Sequence, residues 1–158
     1  MEQGHSPAPP EHAPWMTAAQ ENAIVANVRR GMGLLSMHCS IWNPDNTKYM
    51  ELLGVEKPVM HGPVQNVFLH NFNQDHPVTG GIDDFIMPLD ENFGVELTNP
   101  RAVKLFESTG AQDKRHDIAG WALENGKGRV VGLVAVIPTP HGATRPTSSS
   151  TGAAHTGP

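Results

Sequence analysis

Asp75–Leu97 reads DHPVTGGIDDFIMPLDENFGVEL, and its reading decides the fold. It holds an Asp75-His76-Pro77 turn, a Gly80-Gly81 break, a short apolar piece at Phe85–Pro88 and an acidic turn at Asp90–Gly94. A core helix cannot be built from this composition, because Pro, Gly, Asp and Asn serve backbone geometry and exposed polar groups. Phe85–Pro88 therefore reads as an edge strand, the one place in a sheet where a residue without an N–H is tolerated. Working outward, Val64–His70 reads as a strand before it and Val103–Glu107 as one after it. Ile118–Leu123 and Arg129–Val136 flank Glu124-Asn125-Gly126-Lys127-Gly128, where Asn-Gly is a strong hairpin signal.

Towards the N-terminus, Thr17-Ala18-Ala19-Gln20 has the form of a capping box, and the helix it opens runs to Arg30 with Ile24, Val25 and Val28 on one face. Arg29-Arg30 suits the negative end of the helix dipole, and Gly31 suits its stop. A strand at Gly33–Met37 runs into the polar cluster His38-Cys39-Ser40. Asn46 or Thr47 then opens a short helix carrying Tyr49, Met50, Leu52 and Leu53, closed by Gly54. Helix, strand, polar strand end, helix and further strands predict an α/β sheet with flanking helices and antiparallel additions. Ligands of such sheets bind beyond the carboxyl ends of strands, where His38-Cys39-Ser40 would lie.

With 158 residues the chain can build one domain with a core. A net charge of −5 without Lys/Arg clusters argues against nucleic acid or an anionic membrane as partner. One cysteine excludes an internal disulfide, and no apolar run approaches the ~20 residues of a membrane span. Without a signal-peptide pattern the expectation is a cytoplasmic protein. Residues 1–16 and 138–158 are poor in core-forming residues and are expected to be disordered, leaving a domain at 17–137.

Asp75-His76-Pro77-Val78 with Gly81-Ile82 and Phe85, followed by Asp90-Glu91-Asn92-Phe93-Gly94, resembles the D-H-P-[IV]-x-x-G-[IL]-x-x-F element and D-E-x-[FY]-G turn of ThuA-like (trehalose-utilisation) domains. The resemblance extends from about Thr17 to Val134. It implies a flavodoxin-like sheet similar to class I glutamine amidotransferases, and a role in using trehalose or related sugars, including keto-sugars. Against that pattern the chain is expected to be incomplete at both ends. It lacks the family's first βα units, and it follows Val134 with AVIPTPHGATRPTSSS instead of a Gly-His turn and helix, as a frameshift would produce. A sheet lacking its first strands would leave apolar edges and faces uncovered.

Several residue groups could carry chemistry. Cys39, at a strand end, could present a thiol as a nucleophile elbow does, or could be a small buried hydrophobe; no G-x-C-x-G surrounds it. His38 and His70 both end strands, so they could converge at one rim, with His61, Asp75 and His76 near in sequence. Imidazoles and carboxylates suit a divalent metal such as Zn, with His38 and His70 as ligands, although neither H-E-x-x-H nor C-x-x-C occurs. Asp75 could equally bond its own backbone two residues on, making Asp-His-Pro a structural turn. Asp90-Glu91-Asn92, with Glu96 near, could accept sugar hydroxyls or divide acid and base roles, or be an exposed acidic loop.

In Gln112–Asp117 a carboxylate could position His116, or the whole could be a solvated loop. Trp42, Trp121 and Phe93 could stack on sugars or pack the core, and Gly126-Lys127-Gly128 lacks the rest of a phosphate loop. The resulting expectation places Glu91 as general base or hydroxyl acceptor, His38 and His116 as proton-transfer groups, and Asp90, Asn92, Trp42 and Cys39 against substrate. A small carbohydrate is the expected partner, self-association into a homo-oligomer is compatible with the chain, and neither nucleic acid nor membrane is expected. The rival expectations are a non-catalytic sugar- or partner-binding module and a non-functional fragment.

Overall fold

The computed structural model describes residues 16–41, 45–59 and 62–135. The expected disordered tail, Trp42 and His61 lie outside the described residues, as does the leader except Met16, which is buried and accepts a hydrogen bond at its carbonyl from Asn46 Nδ2.

Helix α1 (Ala18–Arg30) starts at the expected capping box: Thr17 Oγ1 accepts from Gln20 N while the Gln20 side chain accepts from Thr17 N. Strand β1 (Gly33–Met37) follows Gly31, then a single tight turn of 3-10 helix at His38–Ile41. Helix α2 (Thr47–Leu53) ends on Gly54, whose φ of 73° is the left-handed value a C-terminal stop needs. Its orphan N-terminal donors are met from outside: Asn46 makes no side-chain cap, and Tyr49 N donates to the buried Glu21 carboxylate of α1 at 2.9 Å. One carboxylate thus fixes the two helices to each other.

The remaining elements are strands: β2 (Val55–Val59), β3 (Val64–His70), β4 (Phe85–Glu91), β5 (Gly94–Leu97), β6 (Val103–Gly110), β7 (His116–Asn125) and β8 (Gly128–Leu133). Six form one sheet in the order β1-β8-β7-β6-β3-β4, and β2 and β5 pair as a separate antiparallel ribbon. Only β1 and β8 run parallel in the described sheet, so the antiparallel part is the larger one rather than an addition. Turn chemistry explains this: Asn125-Gly126 closes β7 onto β8, with Gly126 at φ 63°, where a parallel connection would need a long crossover. The ribbon was not legible in the sequence, because Pro58 and Glu96 interrupt both of its strands.

The core lies between the sheet and α1, α2 and the ribbon. Trp121, fully buried, is its centre, and its indole N–H donates to Leu53 O at 2.8 Å. Gly132 gives that ring its room; a Cβ there would stand 2.2 Å from Trp121 Cζ2. Phe85, Phe72 and Phe106 form a smaller stack, and Phe106 packs over Gly120. The sheet curls strongly: β1 and β4 are its opposite edges, yet His38, just past β1, comes within 4 Å of the end of β4.

Candidate functional site

Two polar groups form where strand ends meet. The first is built on that curl. His38 Nε2 lies 3.9 Å from Asp90 Oδ1 and 3.8 Å from Glu91 Oε2, and its ring meets Phe93 edge-on at 4.7 Å. His38 adopts φ 47°, a conformation uncommon outside glycine, and such strain concentrates at functional sites. The turn beneath it is held by Ser40 Oγ, which accepts from Met37 N at 2.8 Å and donates to Met37 O at 2.7 Å. Cys39, for which the sequence left open a thiol presented at a strand end and a small buried hydrophobe, is exposed, with Sγ 2.9 Å from His38 Nδ1.

Asp90 and Glu91 end β4, and Asn92 and Phe93 connect it to β5. The alternative of an exposed acidic loop fails for two of the three residues: Asp90 is buried and Asn92 fully so, while the Glu91 side chain keeps 30% of its surface. Asn92, expected to contact substrate, is a strut. Its Oδ1 accepts from Ser108 Oγ at 2.7 Å, and its Nδ2 donates to Arg115 O at 2.9 Å and faces Asp117 Oδ2 at 3.4 Å. Gly94 is required where Asp117 packs, since a Cβ would fall 2.2 Å from Asp117 Oδ1.

The second group stands on the face of the sheet opposite Ser108 and Asp117. Strand alternation separates Ser108 and Asp117 from their neighbours Thr109 and His116. Thr109 pairs with Phe68 on one side and His116 on the other. Thr109 Oγ1 lies 2.8 Å from His70 Nε2 and 3.1 Å from His116 Nδ1, and His116 Nε2 lies 3.4 Å from Glu107 Oε2. Glu107 accepts from Asn71 Nδ2 and from Lys104 Nζ. Those two hydrogen bonds are the largest causes that lower its carboxyl from the ordinary 4.5 to about 2; burial opposes them, and the weaker attractions of the Lys104 and His116 charges add to the lowering. So Asp117 does not position His116, as the sequence suggested; it pairs with Arg115 at 3.1 Å.

The structure therefore joins His38 to Glu91 and His70 to His116, but not one set to the other. Glu107, Thr109 and Asn71 were missed. Only a strand pairing brings them to His116, and period-2 alternation of Glu107 and Thr109 was the available signal. Asp75-His76-Pro77 forms the expected turn with different partners: Asn73 Oδ1 accepts from Asp75 N, and His76 Nδ1 accepts from Val78 N. His76–Val78 border a cleft of about 430 Å³ with Arg101, Val103 and Arg129. Trp121 is core, and Phe93 is buried beside His38. Among the described residues no three His, Cys, Asp or Glu side chains are grouped to hold a metal. His38 and His70, expected as a metal pair, stand in separate groups. No described helix is long and apolar enough to cross a membrane.

Comparison with known proteins matches residues 10–133 to the ThuA family, described as trehalose utilisation. No curated protein sequence is significantly similar. Among solved structures, a ThuA-like protein of Bacteroides uniformis superposes with a TM-score of 0.61 at 20% identity, covering 75% of this chain and 55% of that one. A Salmonella typhimurium protein described as cytoplasmic gives 0.56 at 16% identity, covering 82% and 54%. A β-galactosidase from Rahnella gives 0.58 at 14% identity, covering 75% of this chain and 18% of that one. The chain thus spans about half the length of the ThuA-like structure.

Proposed function

Because this chain belongs to the ThuA (trehalose utilisation) family, we propose that it acts in carbohydrate utilisation, taking trehalose or a related sugar, including a keto-sugar, at His38, Asp90 and Glu91. The carrying observation is one imidazole held within 4 Å of two carboxylates from the opposite sheet edge, at a residue of left-handed backbone. The part-exposed Glu91 carboxylate accepts a sugar hydroxyl or its proton, the role of a general base. His38 hands protons on or donates to the same sugar, and Asp90 orients it. His116 stands in the other group and is left out of this step.

Calorimetric titration of trehalose and its keto derivative tests this, alongside turnover assays. Glu91→Ala is expected to weaken binding or turnover at least about tenfold, the scale of one lost charged hydrogen bond. Unchanged binding and turnover would sink the assignment. A non-catalytic sugar- or partner-binding role is the second reading. It is supported by the recurrence of this fold as less than a fifth of a β-galactosidase chain, and saturable binding without turnover would decide for it. A cytoplasmic location is part of the proposal, in line with the Salmonella relative.

A further inference from the structure

Glu107, His116 and Thr109 stand in the order carboxylate, imidazole, hydroxyl, and different ring nitrogens of His116 face the two partners. That is the arrangement by which a hydroxyl is made nucleophilic: one nitrogen takes its proton while the carboxylate holds the ring by the other. We propose that Thr109 is the nucleophile of a second, acyl-transferring site on the open sheet face, with His116 as its base and Glu107 as the orienting carboxylate.

The hydrogen-bond inventory is consistent in one direction. With Nε2–H of His116 towards Glu107, Nδ1 is free to accept from Thr109, and Thr109 Oγ1 then accepts from His70 Nε2–H at 2.8 Å. The hydrogen bonds from Asn71 and Lys104 fix the Glu107 carboxylate beside His116 Nε2, at 3.4 Å. In the step itself, Thr109 Oγ1 attacks the carbonyl carbon of an ester, and its proton passes to His116 Nδ1. The C–O bond to the leaving alcohol breaks, and the alcohol departs with that proton. Water then attacks the acyl-threonine, gives a proton to His116, and the acid leaves as Thr109 recovers its hydrogen. His70 Nε2–H is close enough to Thr109 Oγ1 to donate to the oxyanion formed beside it.

The surroundings select the acyl group. Phe68 stacks on His70 at 4.9 Å and is the cross-strand partner of Ile86, and both are exposed, at 42% and 61%. They give an apolar ledge next to Thr109, suited to a short acyl chain rather than a charged one. The His116 side chain, 53% exposed, leaves the site open to water and substrate.

The test is p-nitrophenyl acetate with the full chain, read by p-nitrophenolate release and by mass spectrometry of the acetylated peptide. Acetyl on Thr109, with release at least about 10²-fold faster than for Thr109→Val, is expected. Thr109→Val is β-branched and keeps the strand; its thermal transition, measured in parallel, separates loss of chemistry from loss of fold. Thr109→Ser should keep the reaction, His116→Ala should lose it, and Glu107→Gln should slow it and shift its pH profile. Acetyl found only on lysines, or equal release by Thr109→Val, overturns the proposal. Neither result bears on sugar binding at Glu91.

Discussion

Glu107 shows what one side chain draws from its neighbours. Its carboxyl is held at about 2 in the folded chain, first by the Asn71 and Lys104 hydrogen bonds and then by charge, against 4.5 when the chain is unfolded. A carboxyl lowered on folding adds stability that is complete above the unfolded value and fades as pH falls towards the folded one. Thermal midpoints measured from pH 5 to pH 2 should therefore fall more steeply for the native chain than for Glu107→Gln, the gap closing near pH 2. Parallel curves would mean that the Asn71 and Lys104 contacts do not hold the carboxylate in solution. Asn92 makes a contrasting point: a residue whose acidic surroundings suggested substrate is fully buried and satisfied by Ser108, Arg115 and Asp117. Sequence shows which groups can bond, but burial decides whether they bond to ligand or protein.

At the scale of elements, β7 and β8 meet the helices through Trp121 and the glycine facing it. Gly132 pairs with Trp121 across the strands, and a methyl there would intrude on the ring. Trp121 cannot retreat without losing the hydrogen bond from its indole to Leu53 O. Gly132→Ala should cost about 1–3 kcal/mol, the range of overpacked cores, read by urea denaturation with tryptophan fluorescence. A neutral result would mean that the ring shifts freely and is not the fixed point between sheet and helices. Elements with local signals were legible in the sequence. The capping box started α1 at its observed residue, Gly54 closed α2, and Asn125-Gly126 turned β7 into β8. The β2–β5 ribbon had no local signal, because its pairing joins residues far apart in sequence around Pro58.

The whole molecule is a curled sheet with helices and a ribbon on one face, and its cohesion is uneven. Strands β6, β7 and β8 are paired on both sides, while β4 is an edge interrupted by Pro88, a register shift and Leu89 at φ 54°. Hydrogen exchange should find Trp121 and Leu123 amides opening only with global unfolding, and the amides of Ile86 and Leu89 exchanging through local opening. Equal protection in both would show that the curl locks β4 as firmly as the centre. That curl is also what assembles the first site, since it carries Asp90 and Glu91 from the far edge of the sheet to His38. By itself the sequence determined the family, the helix limits, most strands, the edge placement of Phe85–Pro88 and the polar strand end at His38, because motif, periodicity and capping are short-range. Only the tertiary structure decided that His38 meets Glu91 while His116 meets Thr109 and Glu107. Which side chains share a face depends on strand order and register, and those are fixed by the packing of the whole sheet.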